Sequence, residues 1–239
     1  MVLPPESLRH SCPQRPHILS ASFKTQDVFR EIYERGLWGR SEDPKDRYFS
    51  GSGTRSPLIA GPYIAQVRSF LSYFRLMAGK APDVVDLGCG DFTIGAQLRP
   101  FCGRYHACDV VGPLIEFNRK KFQNAEVEFH VIDMCEEDLP SADVALVRQV
   151  FQHLSNDQVA RALSTISRRF SYLVLTEHLP SELDFVPNME IPRIGDWRVS
   201  EGSGVVLTEP PFNLIPQASM PLLDLSPGVG RIVTTLYKL

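Results

Sequence analysis

Val84-Val85-Asp86-Leu87-Gly88-Cys89-Gly90 is the stretch on which the reading of this chain turns. Asp83–Leu87 is a short, largely apolar run of strand type, and it stops at two closely spaced glycines. A helix is expected after the turn, over about 92–101. Gly88 and Gly90 have no side chains, so a ligand can approach the backbone closely. The start of the helix offers unpaired N–H groups. In open α/β sheets, ligands bind at the carboxyl ends of the strands, which is where this turn lies.

Outward from the turn, apolar strands are expected at Tyr105–Val111, Val127–Met134, Ala142–Val147 and Tyr172–Thr176, with a last one at Arg231–Leu239. Pro113 suits the first turn of a helix that points Leu114, Phe117 and Phe122 inward. Ser155 and Gln158 form a capping box for a helix with Val159, Leu163, Ile166 and Phe170 on one stripe. Strands alternating with helices imply parallel βαβ units in a doubly wound sheet. Strands that are apolar almost throughout imply cover on both faces.

Upstream, residues 1–24 contain four prolines and read as a loose arm. Thr25 is placed to cap a helix over 26–35, which Gly36 ends. The segment 37–56 is polar and Gly/Ser-rich. A helix is expected over about 57–78, with Tyr63, Val67, Phe70, Phe74 and Met77 on one face and Gly79 at its end. The expected division is therefore 1–79 as arm and helical cap or lid, and 80–239 as the ligand-binding domain. Within the latter, the proline-rich stretch 179–228 roofs an acceptor pocket.

The 239 residues are 43% hydrophobic and carry a net charge of −3. That composition is ordinary for a globular domain. It lacks the basic balance of a nucleic-acid binder, so no nucleic-acid partner is expected. The five cysteines include no C-x-x-C pair. Reduced thiols are expected rather than a disulfide framework or zinc ribbon, and no metal is called for. The N-terminus lacks the pattern of a secretory signal. No uncharged apolar run approaches the ~20 residues of a membrane span. A cytoplasmic protein with no membrane association is expected. Its oligomeric state is not legible.

Spacing narrows the ligand. A nicotinamide site would show G-x-G-x-x-G, but residue 93 is Thr and the next glycine is Gly95. Asp91 puts a negative charge at the helix start, where it would repel a pyrophosphate. Asp109 ends the second strand, about 20 positions on, where ribose hydroxyls are bound in dinucleotide folds. An adenosyl ligand without phosphates fits both features, and a nicotinamide oxidoreductase is disfavoured.

Over about residues 80–178 the chain resembles the class I S-adenosylmethionine (SAM)-dependent methyltransferases. Asp86–Gly90 is similar to their first motif, with Asp91 beside it, and Asp109 with Val110 to their ribose-binding acid. Ile132-Asp133-Met134 is similar to the adenine-contacting end of the third strand. The resemblance places Arg148 and Gln149 at the methionine end of the cofactor. It implies a Rossmann-like, doubly wound, mostly parallel seven-stranded sheet with an antiparallel last strand. A narrower resemblance is to small methyltransferases with a Trp-Gly and Ser-Gly-x-Gly-Ser/Thr segment, here Trp38-Gly39 and Ser50-Gly51-Ser52-Gly53-Thr54. That subgroup also has a Cys-Gly-Asp first motif and a late Pro-Pro-Phe-Asn, here Cys89-Gly90-Asp91 and Pro210–Asn213. One departure is Phe92, which stands where the family has a third glycine. Asp91 is then available to bond the methionine amino group.

Methyl transfer needs donor and acceptor held in line, and a base only if the acceptor loses a proton. His153, which follows the fourth strand, is the candidate base. The alternative is a loop histidine bonded to a backbone carbonyl or packed beneath the cofactor. Ser50, Gly51 and Ser52 read either as a lid over the cofactor carboxylate or as a flexible linker. Tyr48, Arg55, Glu177, His178, Trp197 and Arg198 are the candidate acceptor-binding residues. The expected activity is methyl transfer from SAM to a small-molecule acceptor, with an oxygen nucleophile on a hydroxyl-rich or sugar-like compound favoured. The alternatives are a non-catalytic SAM-binding regulatory or assembly protein, or an enzyme that methylates a protein side chain.

Overall fold

The computed structural model describes residues 24–239, so the proline-rich arm expected at 1–24 lies, Lys24 apart, outside the described residues. Strand β1, Val84–Leu87, is buried along its whole length. It pairs in parallel with β2, Tyr105–Asp109, on one side and with β4, Val144–Arg148, on the other. With β3 (Glu128–Val131), β5 (Tyr172–Leu179), β6 (Ala218–Gly228) and β7 (Gly230–Lys238), these form one seven-stranded sheet of order β3-β2-β1-β4-β5-β7-β6. β7 runs opposite to the other strands, so it pairs antiparallel with both β5 and β6. The α/β, mostly parallel sheet is therefore the one expected. The chain turns from one side of β1 to the other between β3 and β4, so a crevice opens at the carboxyl ends of β1 and β4.

Successive strand residues face opposite sides of the sheet. Val85, Leu87, Ala145 and Val147 enter one core, and Val84, Val144 and Leu146 enter the other. Helix α6, Asn156–Arg169, packs into the first core through Val159, Ala162, Leu163 and Ile166. Its capping box is complete: the Ser155 side chain accepts from the Gln158 N–H, and the Gln158 side chain accepts from the Ser155 N–H. Helix α3, Pro57–Ala78, packs into the second core through Tyr63, Val67, Phe70 and Leu71 and ends at Gly79. Met77, placed on the same face by its spacing, is instead 68% exposed.

Three expectations need correction. Thr25 is the first residue of α1, Thr25–Arg35, and not its cap; its hydroxyl accepts from Gln158 Nε2 at 2.8 Å, tying α1 to the start of α6. The polar segment 37–56 contains a one-turn helix α2, Ser52–Arg55. The helix expected at 92–101 is only α4, Gly95–Leu98, followed by a 3-10 turn, Arg99–Phe101. Phe92 causes the shortening. Its φ of 58° is left-handed, so the chain cannot enter a helix there. Its ring is fully buried, edge-on to Tyr105, Phe122 and Phe129 at centroid distances of 5.5, 5.1 and 5.0 Å. Gly95 makes room for that ring, because a Cβ there would lie 2.3 Å from Phe92 Cε2.

Gly112–Lys121 forms α5, with Pro113 in its first turn. No described helix is long and apolar enough to cross a membrane. Replacing Phe92 by alanine keeps the left-handed strain and removes the aromatic packing. Phe92→Ala is expected to lower the unfolding free energy by about 3–5 kcal/mol, measured by urea denaturation.

Candidate functional site

A cavity of about 670 Å³ opens at the carboxyl ends of β1, β2 and β4. Its size suits a small organic ligand. Asp86, Gly88, Cys89 and Gly90 form its floor, and Asp109, Val110, Asp133 and Met134 one wall. Ser50, Gly51, Arg148 and Gln149 form the opposite end. Most of the cofactor residues expected from sequence are thus brought together.

The floor is held by carboxylates that accept backbone N–H groups. Asp109 Oδ2 accepts from Gly90 at 3.1 Å, and Asp109 Oδ1 from Val111 at 3.0 Å. Each oxygen can accept more than one hydrogen bond, so capacity remains for hydroxyls of a ligand. Burial raises the Asp109 carboxyl to about 6, against the pull of those N–H groups. Burial also raises Asp86 to about 7, although the Tyr105 hydroxyl donates to it at 2.9 Å. The Gly90 carbonyl accepts from Asn118 Nδ2 at 2.7 Å. Gly90 has a φ of 56°, and a Cβ there would lie 2.4 Å from Ser50 Oγ. A side chain at 90 would therefore push the 50–54 segment off the turn.

Asp91 performs a different task from the one expected. It is buried and does not line the cavity. Its N–H donates to Ser50 Oγ at 2.8 Å, and its carboxylate accepts from the Ser50 N–H at 3.2 Å. Thr93 N–H and Arg55 Nη2 complete its set at 3.1 and 3.2 Å. Asp91 therefore clamps the Ser50–Thr54 segment onto the glycine turn and makes it a fixed wall. Arg148 braces the other side. It donates to the Gly53 carbonyl at 3.2 Å and lies 5.0 Å above the Tyr63 ring. Its Nε has no partner, and burial lowers its pKa. Ser52 begins α2 within this wall.

His153 sits in the 3-10 turn Phe151–His153 and lines the cavity. Its Nδ1 lies 2.9 Å from the Asp196 carbonyl and its Nε2 3.2 Å from Gln152 Nε2. A carbonyl only accepts, so Nδ1 carries the proton and Nε2 presents a lone pair. Trp38 packs on the imidazole with centroids 5.2 Å apart. His178 and Trp197 also line the cavity, edge-on to each other at 4.9 Å.

The other acceptor candidates are structural. Tyr48 is buried among Tyr33 and Phe117. Arg55 is engaged with Asp46 and Asp91. Arg198 is fully buried and donates to the Met189 and Leu154 carbonyls, fastening the late loop to the segment that leads into α6. Glu177 is buried, and its carboxylate faces the backbone N–H groups of Phe151 and Gln152 and the Arg198 guanidinium. Sequence reasoning missed Tyr33, whose hydroxyl lies 3.1 Å from Ser50 Oγ, and Tyr63; both line the cavity. A tyrosine on an apolar helix face carries no signal that separates these roles.

Residues 84–171 match the family model of a methyltransferase domain. Over that stretch the chain is similar to methyltransferase domains. No curated protein matches its sequence. Among solved structures, it is similar to the N-methyltransferase NodS from Bradyrhizobium japonicum WM9 in complex with S-adenosylhomocysteine. That likeness has a TM-score of 0.56 and 15% identity, over 90% of this chain and 98% of that one. A second likeness is to magnesium protoporphyrin IX methyltransferase from Synechocystis PCC 6803 with bound SAM, at TM-score 0.56 and 13% identity, over 92% and 100% of the chains. A third is to the bifunctional kinase-methyltransferase WbdD, at TM-score 0.54 and 17% identity. There the match takes in 74% of this chain but only 39% of that one. Methyl transfer from SAM is the chemistry of this domain class, and the carboxylate-anchored glycine floor and the cavity fit such a donor.

Two measurements test the site. Asp109→Ala is expected to weaken SAM binding by more than about tenfold in calorimetry, through loss of a charge-assisted acceptor. Glu177 is raised from 4.5 to about 8 by burial, opposed by Arg198. A raised carboxyl stabilises the fold fully below its unfolded value, and that contribution is lost as pH rises through its folded value. Glu177→Gln should therefore gain melting temperature relative to the unaltered protein as pH rises from 4.5 to about 8.

Proposed function

We propose that the protein transfers the methyl group of SAM to an oxygen nucleophile of a small, hydroxyl-rich acceptor, with His153 as general base. The observation that carries this reading is the imidazole at the cavity wall, oriented by the Asp196 carbonyl so that Nε2 is the acceptor nitrogen. A hydroxyl attacks the sulfonium methyl carbon as the C–S bond breaks. The bonding pair stays on sulfur, and the hydroxyl proton passes to His153 Nε2. Gln152 Nε2, now beside that lone pair, keeps a second partner in the Gln149 carbonyl at 3.3 Å and can give way.

In this reading Asp109 accepts from the ribose hydroxyls and Asp133 faces the adenine amino group. Gly88, Cys89 and Gly90 let the donor lie on the floor. Ser50, Gly51, Arg148 and Gln149 hold the methionine end. His178 and Trp197 face the acceptor. A cytoplasmic location and a partner list limited to small molecules belong to the same reading.

His153→Ala is expected to cut turnover by about 10²-fold or more while leaving SAM affinity unchanged. Unchanged turnover would remove it as the base. A screen of acceptors with methyl-labelled SAM should label hydroxyl compounds. Labelling of amines alone would overturn the oxygen assignment, and SAM binding with no product from any acceptor would favour a non-catalytic SAM-binding protein.

A further inference from the structure

Away from the cavity, parallel pairing of β2 with β3 sets His106 opposite Glu128 and Cys108 opposite His130. His106 Nδ1 lies 3.1 Å from His130 Nε2, and Glu128 Oε2 lies 3.6 Å from the first nitrogen and 4.0 Å from the second. None of the three lines the cavity. His106 stands three positions before Asp109 on β2, about 10 Å along the strand.

We propose that His106, His130 and Glu128 form a binding site for a single divalent transition-metal ion of the zinc type, which fastens the edge strand β3 to β2.

A tetrahedral zinc ion with ligand bonds of about 2.0–2.2 Å holds its ligand atoms ~3.3 Å apart. The three donors already approximate one face of such a tetrahedron, and rotation of Glu128 closes the longer edges. Two imidazoles and one carboxylate are a borderline donor set suited to zinc and its neighbours, and unsuited to magnesium or calcium. His106 is buried, His130 half-buried and Glu128 exposed, so the site has a rigid back and an open front. Water can enter there as the fourth ligand. Each neutral imidazole carries one proton, and the ring that donates in the metal-free pair takes its other tautomer to ligate. The nearest opposing cations are engaged elsewhere: Arg104 with Asp83, and Arg119 with Glu116 and the Phe129 carbonyl. Their charge sets the expected affinity in the micromolar range rather than tighter.

The test is calorimetric titration of the full chain with Zn²⁺, repeated with Co²⁺ read by visible absorption. One ion should bind the unaltered protein at micromolar concentration, with a tetrahedral cobalt spectrum free of thiolate charge transfer. His130→Gln and Glu128→Gln should each weaken binding by roughly tenfold or more. Both variants should bind SAM as the unaltered protein does, which controls for folding because the positions lie at the open face. Absence of binding at millimolar Zn²⁺, undiminished binding by His130→Gln, or a cobalt–thiolate spectrum would each overturn the site. None of these outcomes bears on methyl transfer, so the two proposals fail independently.

Discussion

Backbone N–H groups held by buried carboxylates are the constraint on which the site depends. In the turn Gly88–Gly90 the first two amides donate to the Cys108 carbonyl at 2.8 and 2.9 Å, but the Gly90 amide turns to a carboxylate instead, because buried amides need acceptors. Asp109 takes those of Gly90 and Val111, and Asp91 takes those of Ser50 and Thr93. The acids thus supply acceptors that the turn lacks, and the amides offset part of the cost of burying charge. Without this exchange the turn would have no reason to stay open, and the 50–54 segment would have nothing to close on.

The same turn shows how a departure from a family pattern is accommodated. Phe92 adopts a left-handed backbone that a glycine would adopt freely. Such a conformation costs on the order of 1–2 kcal/mol in a non-glycine residue. Full burial of the ring among three other aromatic rings offsets it. The lost permissiveness is traded for an anchor beneath the cofactor floor. Gly95, the next glycine along the chain, is the space that the ring needs.

The sheet was legible because its signals are local. Apolar runs, the Ser155–Gln158 box and the spacing of Asp86 to Asp109 can be read without knowing what lies across the sheet. Strand β6 was not legible, for the opposite reason. It is an exposed edge with Pro221 and two register shifts, so it shows no alternation. Its pairing is imposed by β7. Side-chain roles divide in the same way. Asp109 ends β2, and His153 lies in the 3-10 turn that follows β4; the carboxyl ends of both strands face the crevice. Arg55, Arg198 and Tyr48 are polar residues whose partners lie far off in sequence, and residue type alone does not say whether such a group faces a ligand or a carbonyl. His106, Glu128 and His130 are brought together only by the register of two parallel strands, which no spacing along the chain encodes.

The late loop holds His153 from two directions. The Gly195 N–H donates to the His153 carbonyl at 2.8 Å, and the Asp196 carbonyl bonds the imidazole. The same loop presents Trp197 to the cavity. Loop and imidazole are one mechanical unit, so the part of the molecule most free to diversify its contacts is also the part that sets the tilt of the ring. A graft of this loop from a relative would carry its own ring orientation with it. Changes of recognition in such a scaffold would then have to arise by small substitutions within the loop, with its backbone path preserved.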